Sequence, residues 1–252
     1  MVKKELGDRR KLTVSTIEIE TITLCNRKCV YCPQKNYNRG NHTMKESLFK
    51  KIIDELRELK FQGRVFMHLY GEPLLDKRLP HLVKYTREKL PKSVIEIVTN
   101  GDFLSIRLFN ILLNRGVTMF NITQHDKNMS RMMQLLFKYI KSYPEKAKKI
   151  KYRKITPDTE LFNRGGIIVH PKIKRFERCN RPSEFSIVVD YKGNVILCSN
   201  DYFSSVIFGN LREESLIDIW NKDYYKKVRE DLRRGIFEIE MCNKCIGKIK
   251  IN

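Results

Sequence analysis

The sequence predicts an α/β fold, a partial (β/α) barrel of about five to six units followed by a small C-terminal α+β subdomain. Three observations carry this expectation. Short runs rich in β-branched residues alternate with amphipathic stretches as far as residue 170, the pattern of strands each followed by a helix. After residue 170 the alternation gives way to a hairpin pattern and short helices. The polar residues with chemical potential recur where strands end, which is where barrels of this kind carry their sites. The chain therefore divides into residues 1–170 and 171–252.

The elements follow in order. Val14 to Ile22 alternates and is β-branched, so it reads as the first strand, and the polar stretch Cys25 to Asn41 reads as a long loop. Thr43 to Lys60 places Leu48, Ile52, Leu56 and Leu59 on one helical face, with Thr43 and Glu46 as a capping box. Strands are expected at Arg64 to Leu69, Val94 to Val98, Val117 to Thr123 and, more weakly, Ile150 to Ile155. Helices are expected at Arg78 to Lys89, Leu104 to Arg115 and Met129 to Tyr143. Ile167 to Val169, after Gly165-Gly166, reads as a last short strand. These units are too few to close an eight-fold TIM-like barrel. In the second part, Phe185 to Asp190 and Asn194 to Cys198 flank Tyr191-Lys192-Gly193 as a hairpin, with short helices at Ser215 to Trp220 and Lys222 to Arg234.

Composition narrows the function classes. The chain has 252 residues, 41% of them hydrophobic, enough for a sizeable core. It has no uncharged apolar run long enough to span a membrane. The basic, polar Met1 to Lys11 lacks the apolar segment of a secretory signal, which points to the cytoplasm. Seven cysteines in such a chain read as metal ligands or catalytic groups rather than disulfides. The net charge of +21 would attract anions, so nucleic acid is a possible partner. Residues 141–178 are the densest run, with 12 Lys/Arg against 4 acidic residues. They lack the regular aromatic interleaving of a single-strand binding platform, and charge spread this widely reads first as a solvated surface.

Cys25, Cys29 and Cys32 have the spacing C-x3-C-x2-C. Three thiolates on one short loop can ligate three irons of a cubane and leave the fourth open for another ligand. A structural zinc site would need a fourth ligand, for which His42 is the candidate. Three further motifs end the next three strands: Gly71-Glu72-Pro73, Thr99-Asn100-Gly101 and Gln124-His125-Asp126. Four thiols remain, Cys179, Cys198, Cys242 and Cys245. Four thiolates fully ligate either zinc or a cluster, but zinc ribbons use two close pairs, and Cys179 and Cys198 lie 19 residues apart.

The first cysteine spacing, with the aromatic Tyr31 before its last member, resembles the radical S-adenosylmethionine (SAM) superfamily, and the second set resembles its Twitch subdomain, a short relative of the SPASM extension. The resemblance implies a [4Fe-4S] cluster on Cys25, Cys29 and Cys32, with SAM chelating the open iron and being cleaved to methionine and a 5′-deoxyadenosyl radical. It implies an auxiliary [4Fe-4S] cluster on Cys179, Cys198, Cys242 and Cys245. It places Tyr31, Gly71, Glu72, Pro73, Thr99, Asn100 and Gln124 around SAM, with Glu72 accepting from its ammonium. A flavodoxin- or ferredoxin-type protein would donate the electron.

Tyr70-Gly71-Glu72-Pro73-Leu74-Leu75, Thr99-Asn100-Gly101-Asp102-Phe103-Leu104, Thr123-Gln124-His125 and Asn163-Arg164-Gly165-Gly166-Ile167 are similar to the members that oxidise aminocyclitol alcohols to ketones. That likeness implies a small-molecule polyol or aminocyclitol substrate, with Glu18, Tyr70 and Arg164 on the substrate side and the auxiliary cluster as electron acceptor. Arg164 stays protonated, so it would steady a developing alkoxide rather than act as a base. The likeness departs at Val98, where those enzymes are expected to carry a tyrosine. Two other functions compete: radical modification of an anionic target such as tRNA, DNA or a phosphorylated metabolite, and zinc-stabilised nucleic-acid binding without catalysis.

Overall fold

The structure is a computed structural model that describes residues 12–169 and 176–248. The N-terminal segment read for a signal and the proposed boundary at 170/171 lie outside the described residues.

Five strands and the helices between them form the first part: β1 (Thr16–Ile19), α1 (Glu46–Glu58), β2 (Arg64–Phe66), α2 (Leu79–Lys89), β3 (Val94–Thr99), α3 (Ile106–Arg115), β4 (Met119–Gln124), α4 (Arg131–Ile140), α5 (Pro144–Ala147) and β5 (Ile150–Lys154). β6 (Ser186–Val189), β7 (Asn194–Ile196), β8 (Ile207–Asn210), α6 (Leu216–Asn221), α7 (Asp223–Arg234) and α8 (Glu240–Ile246) follow. All eight strands form one sheet, in the order β5-β4-β3-β2-β1-β6-β7-β8. β1 to β6 are parallel, while β7 and β8 are antiparallel additions. This mostly parallel sheet, helix-covered on one face, is the expected partial barrel.

Strand parity sorts the two faces. Ile17, Ile19, Val65, Ile95, Ile97, Phe120 and Ile122 are fully buried against the helices, in one core with Phe49, Ile52, Leu82, Phe109 and Leu136. Their neighbours Glu18, Phe66, Glu96, Val98 and Asn121 face the opposite, concave side. Ser105 caps α3 by accepting from the Leu108 N–H, and Gly116 ends that helix with a left-handed φ of +112°.

The structure corrects several expectations. Thr43 and Glu46 make no capping box: α1 begins at Glu46 after Lys45, and Thr43 forms an isolated antiparallel bridge with Ile22. Ile167 to Val169 is not a strand. Arg164, Gly165 and Gly166 have φ of +52°, +65° and +91°, and Gly166, Ile167 and Ile168 donate back to Asn163 or Arg164, which makes a tight turn. The sixth parallel strand is β6 instead, paired with β1 on the side away from β2. The hairpin at 191–193 is present, with Val188 opposite Ile196. Among the described residues, no helix is long and apolar enough to cross a membrane.

Candidate active site

The first cysteine loop leaves β1 and is clamped from several sides. Arg27 Nε and Nη2 donate to both oxygens of Asp102 at 2.6 and 2.8 Å, and Nη1 donates to Asp126 at 2.6 Å. Asn26 donates to Asp102 and accepts from Asn100, both at 2.8 Å. Gln34 donates to the carbonyls of Thr23 and Tyr70. Farther along, Arg39 forms a bidentate pair with the buried Glu20, at 2.6 and 2.9 Å. The loop is thereby tied to the ends of β1, β2, β3 and β4.

Each of the three sulfurs has a donor group near enough to favour its thiolate: the Arg27 N–H by Cys25, the Tyr31 hydroxyl by Cys29 and the Gln34 N–H by Cys32. Burial, then Glu72 and the two neighbouring sulfurs, push the Cys25 thiol up to about 11. Donor groups beside neighbouring sulfurs suit thiolates bound to iron, which relieves the protonation that burial favours. Among the described residues, no three His, Cys, Asp or Glu side chains converge on a point where one metal ion could be held. A cubane carries its thiolates on separate irons and needs no such convergence. His42 stacks flat on Tyr191, with ring centroids 4.9 Å apart.

Gly71 lies where a Cβ would come within 2.0 Å of the Ile22 carbonyl oxygen, so the β2 end can press against the chain leaving β1. The Glu72 N–H then donates to the Leu24 carbonyl at 2.8 Å. The Glu72 carboxylate is a brace: it accepts from the Thr99 hydroxyl at 2.6 Å, the Asn100 N–H at 2.9 Å and the Leu74 N–H at 3.1 Å. Burial nevertheless raises its pKa to about 7. The Tyr31 hydroxyl meets His125 Nδ1, and burial, with Arg27 and Arg153 next, holds His125 neutral with its pKa near 4. Gln124 turns to its own turn, donating to the Asp126 and Lys127 carbonyls and accepting from Tyr152.

The four remaining cysteines wall one cavity of about 740 Å³, which Glu18, Phe66 and Arg181 also line. Burial pushes Cys198 up to about 12, and Cys179 and Cys245 add to the shift, so these thiols lie within each other's field. Cys242 is raised as well, by burial and then by the other three. Asn200 donates its backbone N–H to Cys198 Sγ at 3.4 Å and its side-chain amide to Cys245 Sγ at 3.7 Å. Gly165 and Gly166 let the Asn163–Gly166 turn approach α8: Cβ atoms there would meet Met241 at 2.6 Å and Lys244 at 2.7 Å. Asn163 secures the contact by donating to the Lys244 and Cys245 carbonyls. A cavity walled by four thiols, with N–H donors on two of them, fits a fully ligated cluster.

Arg164 lies between the two cysteine sets. Its guanidinium sits 5.6 Å from the Tyr70 ring centroid and donates to Asn200 Oδ1 at 3.3 Å, while its charge is felt at Cys32, Glu18 and His68. The Tyr70 hydroxyl donates to the Ser199 carbonyl at 2.8 Å. Burial raises the Glu18 carboxyl, opposed by hydrogen bonds from Ser186 and Ser199 and by the Arg181 and Arg164 charges. Arg164 therefore links the predicted substrate-side residues, resting against the Tyr70 ring and acting on the Glu18 carboxyl through its charge.

The radical SAM superfamily matches residues 19–158, and SPASM, an iron–sulfur cluster-binding domain, matches residues 179–246. The chain belongs to the radical SAM superfamily. As a radical SAM enzyme with an auxiliary-cluster domain, it binds SAM and [4Fe-4S] clusters, and neither cysteine set is left to zinc. It is 32% identical to the S-adenosyl-L-methionine-dependent 2-deoxy-scyllo-inosamine dehydrogenase of Niallia circulans, over 92% of each chain. Its fold matches the crystal structure of BtrN in complex with AdoMet and 2-DOIA with a TM-score of 0.85, at 33% identity over 93% of this chain and 94% of that one. An open conformation of BtrN matches with a TM-score of 0.69, at 29% identity over 94% and 90%.

Sequence reading missed the roles of four residues in this radical SAM site. Arg27 and Asp126 carried no signal beyond their place in motifs. Asn200 follows a predicted ligand cysteine but gave no sign of reaching a second one. His68 extends β2 on the concave face, packs edge-on to Phe66 and has its Nδ1 sealed from solvent without a hydrogen-bond partner among the described residues. Burial and the Arg164 charge push its pKa down to about 4.

Proposed function

We propose that this radical SAM enzyme oxidises a secondary alcohol of a small polyol or aminocyclitol to a ketone. The observation that carries the proposal is the position of Arg164, stacked on Tyr70 beside the first cysteine set and bonded through Asn200 to the second. A substrate between the sets could lose hydrogen on one side and an electron on the other. The 32% identity to a dehydrogenase over nearly the whole chain supports the same reading.

Cys25, Cys29 and Cys32 would hold the SAM-binding cluster, and Cys179, Cys198, Cys242 and Cys245 the auxiliary one. Bound there, these groups supply hydrogen-atom abstraction and a one-electron sink. Tyr31, Gly71, Glu72, Pro73, Thr99 and Asn100 shape the SAM side, with Glu72 acting as a brace between strand ends. Gln124 supports the turn after β4 and contributes indirectly. Glu18 and Tyr70 orient the substrate, and Arg164 opposes the charge on the carbinol oxygen as its proton leaves. Val98, on the concave face, leaves more room than a tyrosine would, so the substrate need not be the relative's.

We place the protein in the cytoplasm, where cysteines outside disulfides are kept reduced and able to ligate iron, with a flavodoxin- or ferredoxin-type donor. The two family matches support a division near residue 170. The net charge of +21 favours a second reading, modification of an anionic target such as tRNA, DNA or a phosphorylated metabolite.

The test is anaerobic assay of the reconstituted protein with SAM and dithionite, with and without 2-deoxy-scyllo-inosamine. The dehydrogenase reading expects several-fold more 5′-deoxyadenosine together with the matching ketone. Background 5′-deoxyadenosine unchanged by the aminocyclitol would reject that substrate, and salt-sensitive tRNA or DNA binding would then favour the second reading.

A further inference from the structure

Asn200 is almost fully buried, at 2% exposure, and its side chain is used at both ends. Its oxygen accepts from Arg164 Nη1 at 3.3 Å, and its amide nitrogen donates to Cys245 Sγ at 3.7 Å. Its backbone N–H donates to Cys198 Sγ at 3.4 Å. One residue thus contacts two of the four cysteines and the cation on the substrate side. The backbone around it is fixed: Asp201 donates to the Cys198 carbonyl at 3.0 Å and Tyr202 to the Asn200 carbonyl at 3.1 Å. The adjoining Ser199 holds Tyr70 through its carbonyl and Arg181 through its hydroxyl.

Hydrogen bonds to cluster sulfurs help set the reduction potential. A reduced cluster carries more negative charge on its sulfurs, so a donor stabilises the reduced form and raises the potential. Hydrogen bonds in a chain also polarise one another: a cation donating to the amide oxygen makes the amide nitrogen a better donor. The run Arg164 to Asn200 to Cys245 is such a chain, with its middle residue buried.

We propose that Asn200 is a positioning residue that couples the substrate-side cation Arg164 to the auxiliary cluster, raising that cluster's reduction potential through its hydrogen bonds to sulfur. The proposal rests on the assignment of Cys179, Cys198, Cys242 and Cys245 to an electron-accepting cluster, and is independent of which alcohol is oxidised. It gives the Arg164 side chain a second consequence. Whatever binds the guanidinium alters the donor strength of the amide, so the electron acceptor senses occupancy of the substrate position.

The test is a redox titration followed by EPR on the reconstituted full-length protein without substrate. The two clusters are distinguished by their response to SAM, which perturbs only the one with an open iron. Asn200→Leu removes the side-chain donor and acceptor together. It should lower the auxiliary potential and leave that of the three-cysteine cluster in place. Asn200→Asp, nearly the same size, keeps an oxygen for Arg164 but puts a carboxylate beside the sulfur. It should lower the auxiliary potential at least as far, and it covers the case in which the leucine variant fails to assemble. Arg164→Met should give a smaller drop through loss of the polarising cation.

An auxiliary potential unchanged in both Asn200 variants would overturn the proposal. A drop in those variants with none in Arg164→Met would overturn the coupling to the substrate side. Failure of the dehydrogenase reading has a different signature, wild-type protein that does not oxidise the aminocyclitol while these potential shifts persist.

Discussion

Arg27 in the cysteine loop and Asp102 beyond β3 form a two-point ion pair, with Nε to Oδ2 at 2.6 Å and Nη2 to Oδ1 at 2.8 Å. Their side chains are only 17% and 16% exposed. A flat guanidinium matches a carboxylate at two points, whereas an ammonium offers one point charge. Arg27→Lys should therefore unseat the loop despite keeping its charge. We expect a loss of about 1.5–3 kcal/mol in urea unfolding, the range for a hydrogen bond to a charged group. The SAM-dependent change in the EPR signal should weaken, while the auxiliary signal persists. A lysine variant with the full SAM response would show that the other clamps suffice.

Gly71→Ala tests whether the glycine serves ligand access or chain approach. The added methyl would lie 2.0 Å from the Ile22 carbonyl oxygen, with the Leu24 carbonyl at 3.2 Å. Both neighbours are backbone, so neither can turn aside. The β2 end must separate from the loop, a strain comparable with the upper range of single substitutions, about 3 kcal/mol or more. The thermal midpoint of the protein without SAM should fall sharply. If only SAM affinity changed, the steric reading would be wrong.

Glu72 makes stability depend on pH. Its pKa in the fold is about 7, above the ordinary 4.5, because burial disfavours the charged form more than the Thr99, Asn100 and Leu74 donors favour it. A raised carboxyl contributes stability that is fully present below the unfolded value and is lost as pH rises through the folded one. Stability should therefore decline between about pH 4.5 and 7 by this contribution. Glu72→Gln should be less stable at low pH, since its amide cannot accept from every donor, and should flatten that slope. Parallel wild-type and variant curves from urea titrations across this window would remove Glu72 as the cause.

Cys242 separates SAM cleavage from substrate oxidation. It lines the four-thiol cavity on α8, away from the three-cysteine loop. Cys242→Ala should lose iron from the auxiliary set and stop ketone formation. It should retain background 5′-deoxyadenosine production, because the clamp formed by Arg27, Asn26 and Gln34 is untouched. Loss of both activities together would mean that the two cysteine sets do not act separately.

The first three cysteines and the strand-end motifs were legible because each is local: their spacing places three thiols on one loop and polar residues on successive strand ends. The helices were legible from period, and their ends only to within a few residues. Thr43 matched a capping pattern, yet its backbone found a better partner in Ile22, a tertiary contact that no local rule weighs. Ile167 to Val169 looked like a strand because its residues are β-branched, but three successive positive φ values and the approach to α8 decide otherwise. Arg27 meets Asp102 and Asp126 across 75 and 99 residues, so the clamp exists only after folding. Asn200 reaches Cys245 across 45 residues for the same reason.

His68 joins stability and function most directly. Strand parity turns it to the concave face, where Nδ1 is sealed without a hydrogen-bond partner among the described residues and burial, then the Arg164 charge, keeps the ring neutral. An unpaired buried polar atom costs about 1–3 kcal/mol, and such costs are tolerated chiefly where a site uses the group. His68→Leu removes the cost at similar breadth, so the apoprotein should become more stable by about 1 kcal/mol. The same variant should lose the extra 5′-deoxyadenosine produced when 2-deoxy-scyllo-inosamine is present, with background production retained. His68→Gln, which keeps a donor and an acceptor in the lumen, should fall between the two in both measurements. A leucine variant that is less stable than wild type would reveal a partner for Nδ1, and one with unchanged substrate response would make the ring a packing residue.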